Sequence, residues 1–149
     1  MNYYNEIKNK LIDNEVYKRV KDYSKERNTV ITYFEIGRLL AIVGGKYGDN
    51  VIDEYSKKLT KEVGKKYNRR TLFRMKQFYN VFSNEKVSTM WTQLTWSHLR
   101  LLFNLEIDSI NYYIQVIISK KLSVRELEFK IKSLSLIHIS EPTRLRRIS

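Results

Sequence analysis

Residues 57–76 read KKLTKEVGKKYNRRTLFRMK, a stretch in which nine basic side chains stand against a single acid, Glu62. This stretch carries +8 of the net +12 of the 149-residue chain. Positive charge is therefore concentrated at one place in the sequence rather than spread along it.

Two apolar stripes at helical spacing flank the middle of this stretch, one over 51–63 and the other over 72–82. Gly64 lies between them and can adopt the left-handed conformation that ends a helix. Asn68 is a favourable N-cap residue for the following helix. The pattern predicts a helix-turn-helix core at 49–82, with a turn longer than in the simplest such motif, as in winged helices.

The second of these helices places basic and amide side chains opposite its apolar stripe. A guanidinium forks onto guanine or phosphate and a glutamine amide pairs with adenine, so these side chains suit a DNA major groove. The preceding lysines suit phosphate contacts, although a solvated basic face explains the same residues without DNA. The predicted DNA-binding residues are Lys57, Lys58, Lys61, Lys65, Lys66, Arg69, Arg70, Arg74, Lys76 and Gln77.

The composition fits one domain, because 42% hydrophobic residues, with 2 Trp, 11 Tyr and 6 Phe, can build a core. A pI near 9.8 favours an acidic partner, either nucleic acid or an anionic membrane surface. The basic helices lack the Trp/Leu-rich face of an interfacial helix, so no membrane partner is expected. Absence of an apolar run of about 18 residues and of a signal-peptide pattern predicts a cytoplasmic protein.

Apolar spacing predicts further helices along the rest of the chain. We expect a short helix at 2–11, a long one at 15–43 with a break near Asn28, and a glycine-rich end at 44–48. Later helices begin after Thr95, at Asp108 and after a capping box formed by Ser123 and Glu126. Segment 83–92 fits either a loop or a small wing. The predicted fold is all-α, a compact bundle of six or seven helices.

The sequence indicates no catalytic site, metal site or cofactor. It contains no cysteine, and His98 is the only histidine of the chain body, so a structural role for His98 is the simpler interpretation. Asp108 with Glu128 and Lys130 resembles a nuclease set only superficially. Such a set needs carboxylates that converge on Mg²⁺ from a strand-rich core, whereas these residues fall on predicted helices.

The tail, residues 135–149, differs in composition from residues 1–134. It contains the only proline, Pro142, and its basic residues are all arginines. It closely resembles a translated sequencing-adapter read-through, so we predict a native domain at 1–134 and a non-native tail at 135–149.

Several stretches together resemble the N-terminal domain of the YhcG-like family. They are YFEIGR at 33–38, YG at 47–48, VI at 51–52, LFRM at 72–75, FY at 78–79, QLTWSHL at 93–99, Tyr113 and SVREL at 123–127. The resemblance covers nearly all of 1–134, and QLTWSH is its most specific part. It implies a helical, helix-turn-helix-like DNA-binding domain that relatives combine with a C-terminal PD-(D/E)XK nuclease domain, often in a restriction or mobile-element setting.

Two functions from different classes follow from these patterns. The leading one is DNA binding without chemistry, with duplex DNA as the partner and the nuclease half missing from this chain. The alternative is a protein–protein interaction or homodimerisation module, in which the long N-terminal helix and the QLTWSH region form the interface through Trp96 and His98.

Overall fold

The computed structural model describes residues 2–19 and 25–140, apart from the side chains of 25–26 and 135–140. In these ranges the chain forms seven α-helices and one 3-10 helix, without a β-strand, which confirms the predicted all-α bundle. None of the helices described is long and apolar enough to cross a membrane. The helices are α1 (Tyr3–Lys18), α2 (Lys25–Tyr47), α3 (Asn50–Glu62), α4 (Arg69–Phe82), the 3-10 helix (Thr89–Gln93), α5 (Trp96–Leu102), α6 (Ile107–Lys120) and α7 (Val124–Ser140).

The bundle is centred on the pair α2 and α4, which share the most extensive helix contact. Their backbones meet at Gly37, where a Cβ atom would lie 2.1 Å from the Met75 carbonyl oxygen and 2.9 Å from the Tyr79 Cβ. Only glycine permits so close an approach, because any other residue would overlap the α4 backbone. The Gly37 position therefore sets the distance between the two central helices.

An aromatic cluster fills the space beside this contact. Phe78 of α4 lies at its centre, with ring centroids 5.5 Å from Phe34, 5.2 Å from Trp91 and 5.4 Å from Trp96. Phe103 stacks on the same ring at 5.6 Å. Edge-to-face and stacked pairs of this kind add to the free energy gained from apolar burial. The cluster joins α2, α4 and α5 through the 3-10 helix into one core.

The turn between α3 and α4 is fixed from inside by Tyr67, whose side chain is fully buried. Asn68 caps α4 as predicted, because its side-chain oxygen accepts a hydrogen bond from the Thr71 amide at 3.1 Å. The predicted left-handed conformation of Gly64 is wrong. The amides of Val63 and Gly64 both donate to the Leu59 carbonyl, and positive φ angles occur in the described chain only at Gly48 and Lys121.

Helix α1 continues through the break that the sequence predicts at 13–14, because Asn14 is buried rather than solvated. Its Oδ1 accepts hydrogen bonds from the Asn28 side chain at 2.8 Å and from Thr29 at 3.3 Å. The helix predicted at 15–43 with a break near Asn28 is therefore wrong in where it begins and where it is broken, since Asn28 lies within α2. The chain instead has α1 ending at Lys18 and α2 beginning at Lys25, with 20–24 outside the described residues.

Three other local predictions have clear outcomes. Helix α2 runs through Gly44 and ends at Tyr47. It is followed by Gly48, whose φ of 88° is a conformation that glycine permits. Segment 83–92 forms a loop and the start of the 3-10 helix rather than a wing. The capping box at Ser123 is confirmed, since the Ser123 amide donates to Glu126 at 2.8 Å and the Glu126 amide to Ser123 at 3.1 Å.

The predicted boundary between the domain and the tail falls within α7, whose backbone remains helical to Ser140. Residues 141–149 lie outside the described residues. The assignment of 135–149 as a non-native tail therefore stays a prediction.

The contact at Gly37 leads to a test with a matched control in the same helix. Gly37→Ala should lower the free energy of unfolding by about 2 to 4 kcal/mol, because the added methyl group forces α2 and α4 apart. Gly45→Ala should instead raise it by about 0.5 to 1 kcal/mol, since a Cβ there meets nothing within 4 Å and alanine favours the helix. Urea denaturation followed by circular dichroism measures both, and equal effects would contradict the packing role of Gly37.

Candidate nucleic-acid interface

The outer surface of α3 and the following turn carry a row of exposed lysines. The opposite face of α3 buries Ile52, Ser56 and Leu59, which leaves the lysine face towards solvent. The Lys58 ammonium lies 5.1 Å from the centre of the Tyr4 ring. The exposed lysines of this row are Lys57, Lys58, Lys61 and Lys65.

One flank of α4 uses its cations within the protein. Arg69 Nε pairs with the Asp53 carboxylate at 2.5 Å, and Lys76 Nζ pairs with the Asp49 carboxylate at 2.9 Å. Both acids lie at the N-terminal end of α3. The Arg69 guanidinium also lies 4.6 Å above the Phe73 ring. These two ion pairs connect α4 to α3 and supply each cation with a carboxylate partner.

The other flank of α4 faces α5 and has a different charge balance. The pKa of the Arg74 guanidinium is lowered by partial burial and by the neighbouring cations Arg100 and Arg70. None of these three guanidiniums makes an ion pair with any residue that the structure describes. We call Arg70, Arg74 and Arg100 the arginine face. It is a concentration of positive charge that no carboxylate of the described chain neutralises.

Gln77 continues the arginine face along α4, although its amide is engaged within the protein. Its Nε2 donates a hydrogen bond to the Asn104 side-chain oxygen at 2.9 Å, just beyond the end of α5. This bond fixes the position of the side chain and tethers α5 to α4. Gln77 is therefore less available to read a base edge than the sequence pattern predicts.

Lys66 belongs to a network that ties the turn to α1. Its ammonium lies 2.8 Å from the Glu15 carboxylate, which also accepts a hydrogen bond from the Tyr67 hydroxyl. Partial burial raises the pKa of Glu15, but the Lys66 and Tyr67 hydrogen bonds outweigh it and hold the pKa below its ordinary value. Burial and the same carboxylate raise the pKa of Tyr67.

The structure therefore divides the ten predicted residues into groups. The exposed lysines and Arg70 and Arg74 present charge to solvent, while Arg69, Lys76 and Lys66 have carboxylate partners and Gln77 has an amide partner. Sequence reasoning missed Arg100, which lies on α5, far along the chain from α4. Its only sequence signal is its position two residues beyond the QLTWSH region and three residues, about one helical turn, after Ser97.

The interpretation of His98 as a structural residue agrees with its surroundings. It is 8% exposed, and its ring nitrogens lie 2.8 Å from the Thr95 hydroxyl and 2.8 Å from the Leu122 carbonyl oxygen. The acids that superficially resemble a nuclease set lie on helices, as predicted, with Asp108 on α6 and Glu128 on α7. Within the described ranges, no group of three or more His, Cys, Asp or Glu residues could hold a metal ion.

Comparison with protein families adds an independent observation, since residues 7–136 match the model described as the DUF1016 N-terminal domain. The chain belongs to this family. The match agrees with the resemblance to the YhcG-like N-terminal domain and spans every helix of the bundle, α1 from its second turn and α7 through most of its length. Neither curated proteins nor solved structures gave a match. The recognised part of this chain is thus the DUF1016 N-terminal domain, without a recognised catalytic domain.

The Glu15 network of this DUF1016 N-terminal domain gives a prediction about acid stability. A pKa lowered in the folded state stabilises the fold above the ordinary value of 4.5 and loses that contribution as pH falls through the folded-state pKa. Wild type should therefore be more stable than Glu15→Gln at about pH 7, and the difference should shrink as pH falls below 4.5 and through the folded-state pKa. Urea denaturation over a pH series measures this difference.

Glu128→Gln is the matched control, because Glu128 is exposed and its carboxylate lies 3.7 Å from Lys132 on the same helix. Its effect at neutral pH should be within about 0.5 kcal/mol of zero. A Glu15→Gln protein as stable as wild type at neutral pH would show that the network does not stabilise the fold.

Proposed function

We propose that this domain binds duplex DNA without chemistry, through the arginine face and the exposed lysines of α3. The observation that carries the proposal is that no described carboxylate pairs with Arg70, Arg74 or Arg100, in a protein that supplies carboxylates to Arg69 and Lys76. Positive charge of this density without acidic partners suits a polyanion, whose phosphates would take the place of those acids.

Electrostatics explains why a partner would be favourable at this face. Arg74 is partly buried and lies near two other cations, and both effects lower the pKa of its guanidinium. A phosphate placed among the three guanidiniums would remove this repulsion and accept forked hydrogen bonds. DNA binding would thus be favoured because the phosphate offsets the repulsion among the three guanidiniums.

The residues of the interface would divide into two roles. Lys57, Lys61 and Lys65 lie exposed around the turn and suit phosphates, which position a protein without reading sequence. Arg70 and Arg74 lie on the exposed side of α4 and suit guanine edges or phosphates in the groove. Arg69 and Lys76, which the sequence assigns to DNA, would act instead by fixing α4 relative to α3.

A protein–protein interaction module remains the second candidate, and one observation favours it. A shallow apolar depression of about 500 Å³ lies between α6 and the 3-10 helix, with Tyr112 and Met90 exposed at its edge. An interface at Trp96 and His98, which the sequence predicts for this function, is less suitable, because His98 is buried and both its ring nitrogens are engaged. Homodimerisation through the depression would appear in sedimentation velocity as a mass that increases with concentration.

The family resemblance extends the proposal to the whole proteins. Relatives would combine this domain with a nuclease domain, so that the domain brings DNA to a catalytic centre that the recognised part of this chain does not include. A cytoplasmic location fits such a role. Both points rest on the resemblance and on the family match.

The salt dependence of binding tests the role of the arginine face. Arg74→Gln and Arg100→Gln should each weaken binding to duplexes of any sequence. Each should also reduce the slope of log K against log salt by about 0.9 for every phosphate that the variant no longer neutralises. Fluorescence anisotropy with a labelled duplex over a salt series measures the slope.

Arg125→Gln is the matched control, since Arg125 is an exposed arginine on α7 outside the proposed interface. It should leave both the affinity and the slope unchanged. Equal losses in all three variants would mean that net charge alone attracts DNA, and no duplex binding even at low salt would contradict the proposed function.

A further inference from the structure

A recess opens beside the arginine face, where α1, α2, α4 and α5 converge. Its volume is about 350 Å³, and we call it the Trp96 pocket. It lies next to the arginine face because Arg100 belongs to both. Its lining residues are Lys18, Thr29, Tyr33, Lys66, Thr71, Trp96, Ser97 and Arg100.

The pocket has a buried floor and an exposed rim. Thr29 and Tyr33 of α2 line it and are only 5% and 4% exposed, so they form its buried floor. The Tyr33 ring meets the Trp96 indole edge to face, with centroids 4.9 Å apart. Lys66, Ser97 and Arg100 are exposed at the rim. A ligand entering between the rim residues would therefore leave bulk solvent and meet hydroxyl and aromatic groups.

The side chains that the structure describes give the pocket a positive charge. Among them, three cations line it, Lys18, Lys66 and Arg100, and the carboxylate beside them is Glu15, which lies 2.8 Å from Lys66 and 3.9 Å from Lys18. Arg100 has no carboxylate partner in the described chain, and its repulsion extends to Arg74. Glu15 therefore neutralises part of this charge and leaves a surplus on the Arg100 side.

The hydroxyl groups add directional hydrogen bonding to this charge. Thr71 and Ser97 face the pocket from the first turns of α4 and α5, and both can donate to an oxyanion. Hydroxyl donors combined with guanidinium and ammonium groups are the side chains that proteins use for phosphate. The pocket thus combines the charge and the donors of a phosphate site.

The QLTWSH run explains why these residues hold their positions. The Thr95 hydroxyl caps α5 by accepting from the His98 amide at 3.2 Å, and His98 Nε2 lies 2.8 Å from the Leu122 carbonyl oxygen. Thr95 and His98 thus stabilise the fold, and the two residues between them, Trp96 and Ser97, line the pocket. The most specific stretch of the sequence therefore builds this recess.

We propose that the Trp96 pocket receives the terminal phosphate of a DNA strand, so that the domain binds duplex ends in preference to internal sites. An internal phosphodiester carries a sugar on both sides and stays at the duplex surface. A terminal phosphate is attached on one side only and can enter a recess with a buried floor. It also carries up to two negative charges, which suits the surplus on the Arg100 side. This inference rests on the DNA binding proposed above.

The test compares two blunt duplexes of the same sequence and internal fluorophore, one with phosphate and one with hydroxyl groups at its strand ends. The full chain should bind the phosphorylated duplex about tenfold more tightly, the gain expected from one added charge-assisted contact. Ser97→Asp should abolish this preference, because its carboxylate repels the phosphate. Aspartate in the first turn of a helix is favourable, so the variant should fold.

The control is Thr89→Asp, which adds the same charge at an exposed position in the first turn of the 3-10 helix and should keep the roughly tenfold preference. Equal affinity of wild type for both duplexes would overturn the pocket assignment and leave DNA binding intact. A preference that survives Ser97→Asp would also overturn it. Absence of any duplex binding would overturn DNA binding itself, and the strand-end proposal with it.

A third arm separates a strand end from a free nucleotide, which carries the same phosphate chemistry. Deoxyadenosine monophosphate is titrated against the bound phosphorylated duplex. Displacement should require a concentration far above the Kd of the duplex, since the mononucleotide cannot reach the arginine face and the pocket together. Displacement at a concentration near that Kd would assign the pocket to free nucleotides and overturn the strand-end proposal.

Discussion

The contact between Gly37 and the Met75 carbonyl is the constraint on which the rest of the structure depends. It allows the backbones of α2 and α4 to come into direct contact. At this separation the Cβ of any larger residue would lie 2.1 Å from that carbonyl oxygen. Because α4 lies this close to α2, the Phe78 ring reaches the aromatic cluster while Arg70 and Arg74 stay at the surface. A packing requirement in the core thus fixes which face of α4 meets solvent.

Placement of the few acids then decides which cations remain available. Asp49 and Asp53 neutralise one flank of α4, and Glu15 partly neutralises the turn, so positive charge survives mainly on the α3 lysines and the arginine face. The basic stretch is therefore not a uniform patch. Its two flanks differ in charge because α3 supplies carboxylates to one of them and α5 supplies a further arginine to the other.

Local signals in the sequence predicted the fold well. The helical spacing of apolar residues and the caps at Asn68 and Ser123 depend on neighbours a few residues away, and the structure confirms them. Features that depend on distant residues could not be predicted in this way. Helix α1 continues through its polar residues because Asn14 is buried against α2. Arg100 comes close to Arg74 only when α5 packs against α4.

An interface centred on the arginine face can be tested by mapping the DNA footprint on the protein through amide chemical shifts in solution. We expect the shifts induced by a short duplex to concentrate on α4 around Arg70 and Arg74 and on α5 around Arg100, with smaller changes along the α3 lysines. The flank of Arg69 and Lys76 should change little. A footprint centred on α6 and the 3-10 helix, or shifts spread evenly over every basic residue, would contradict such an interface.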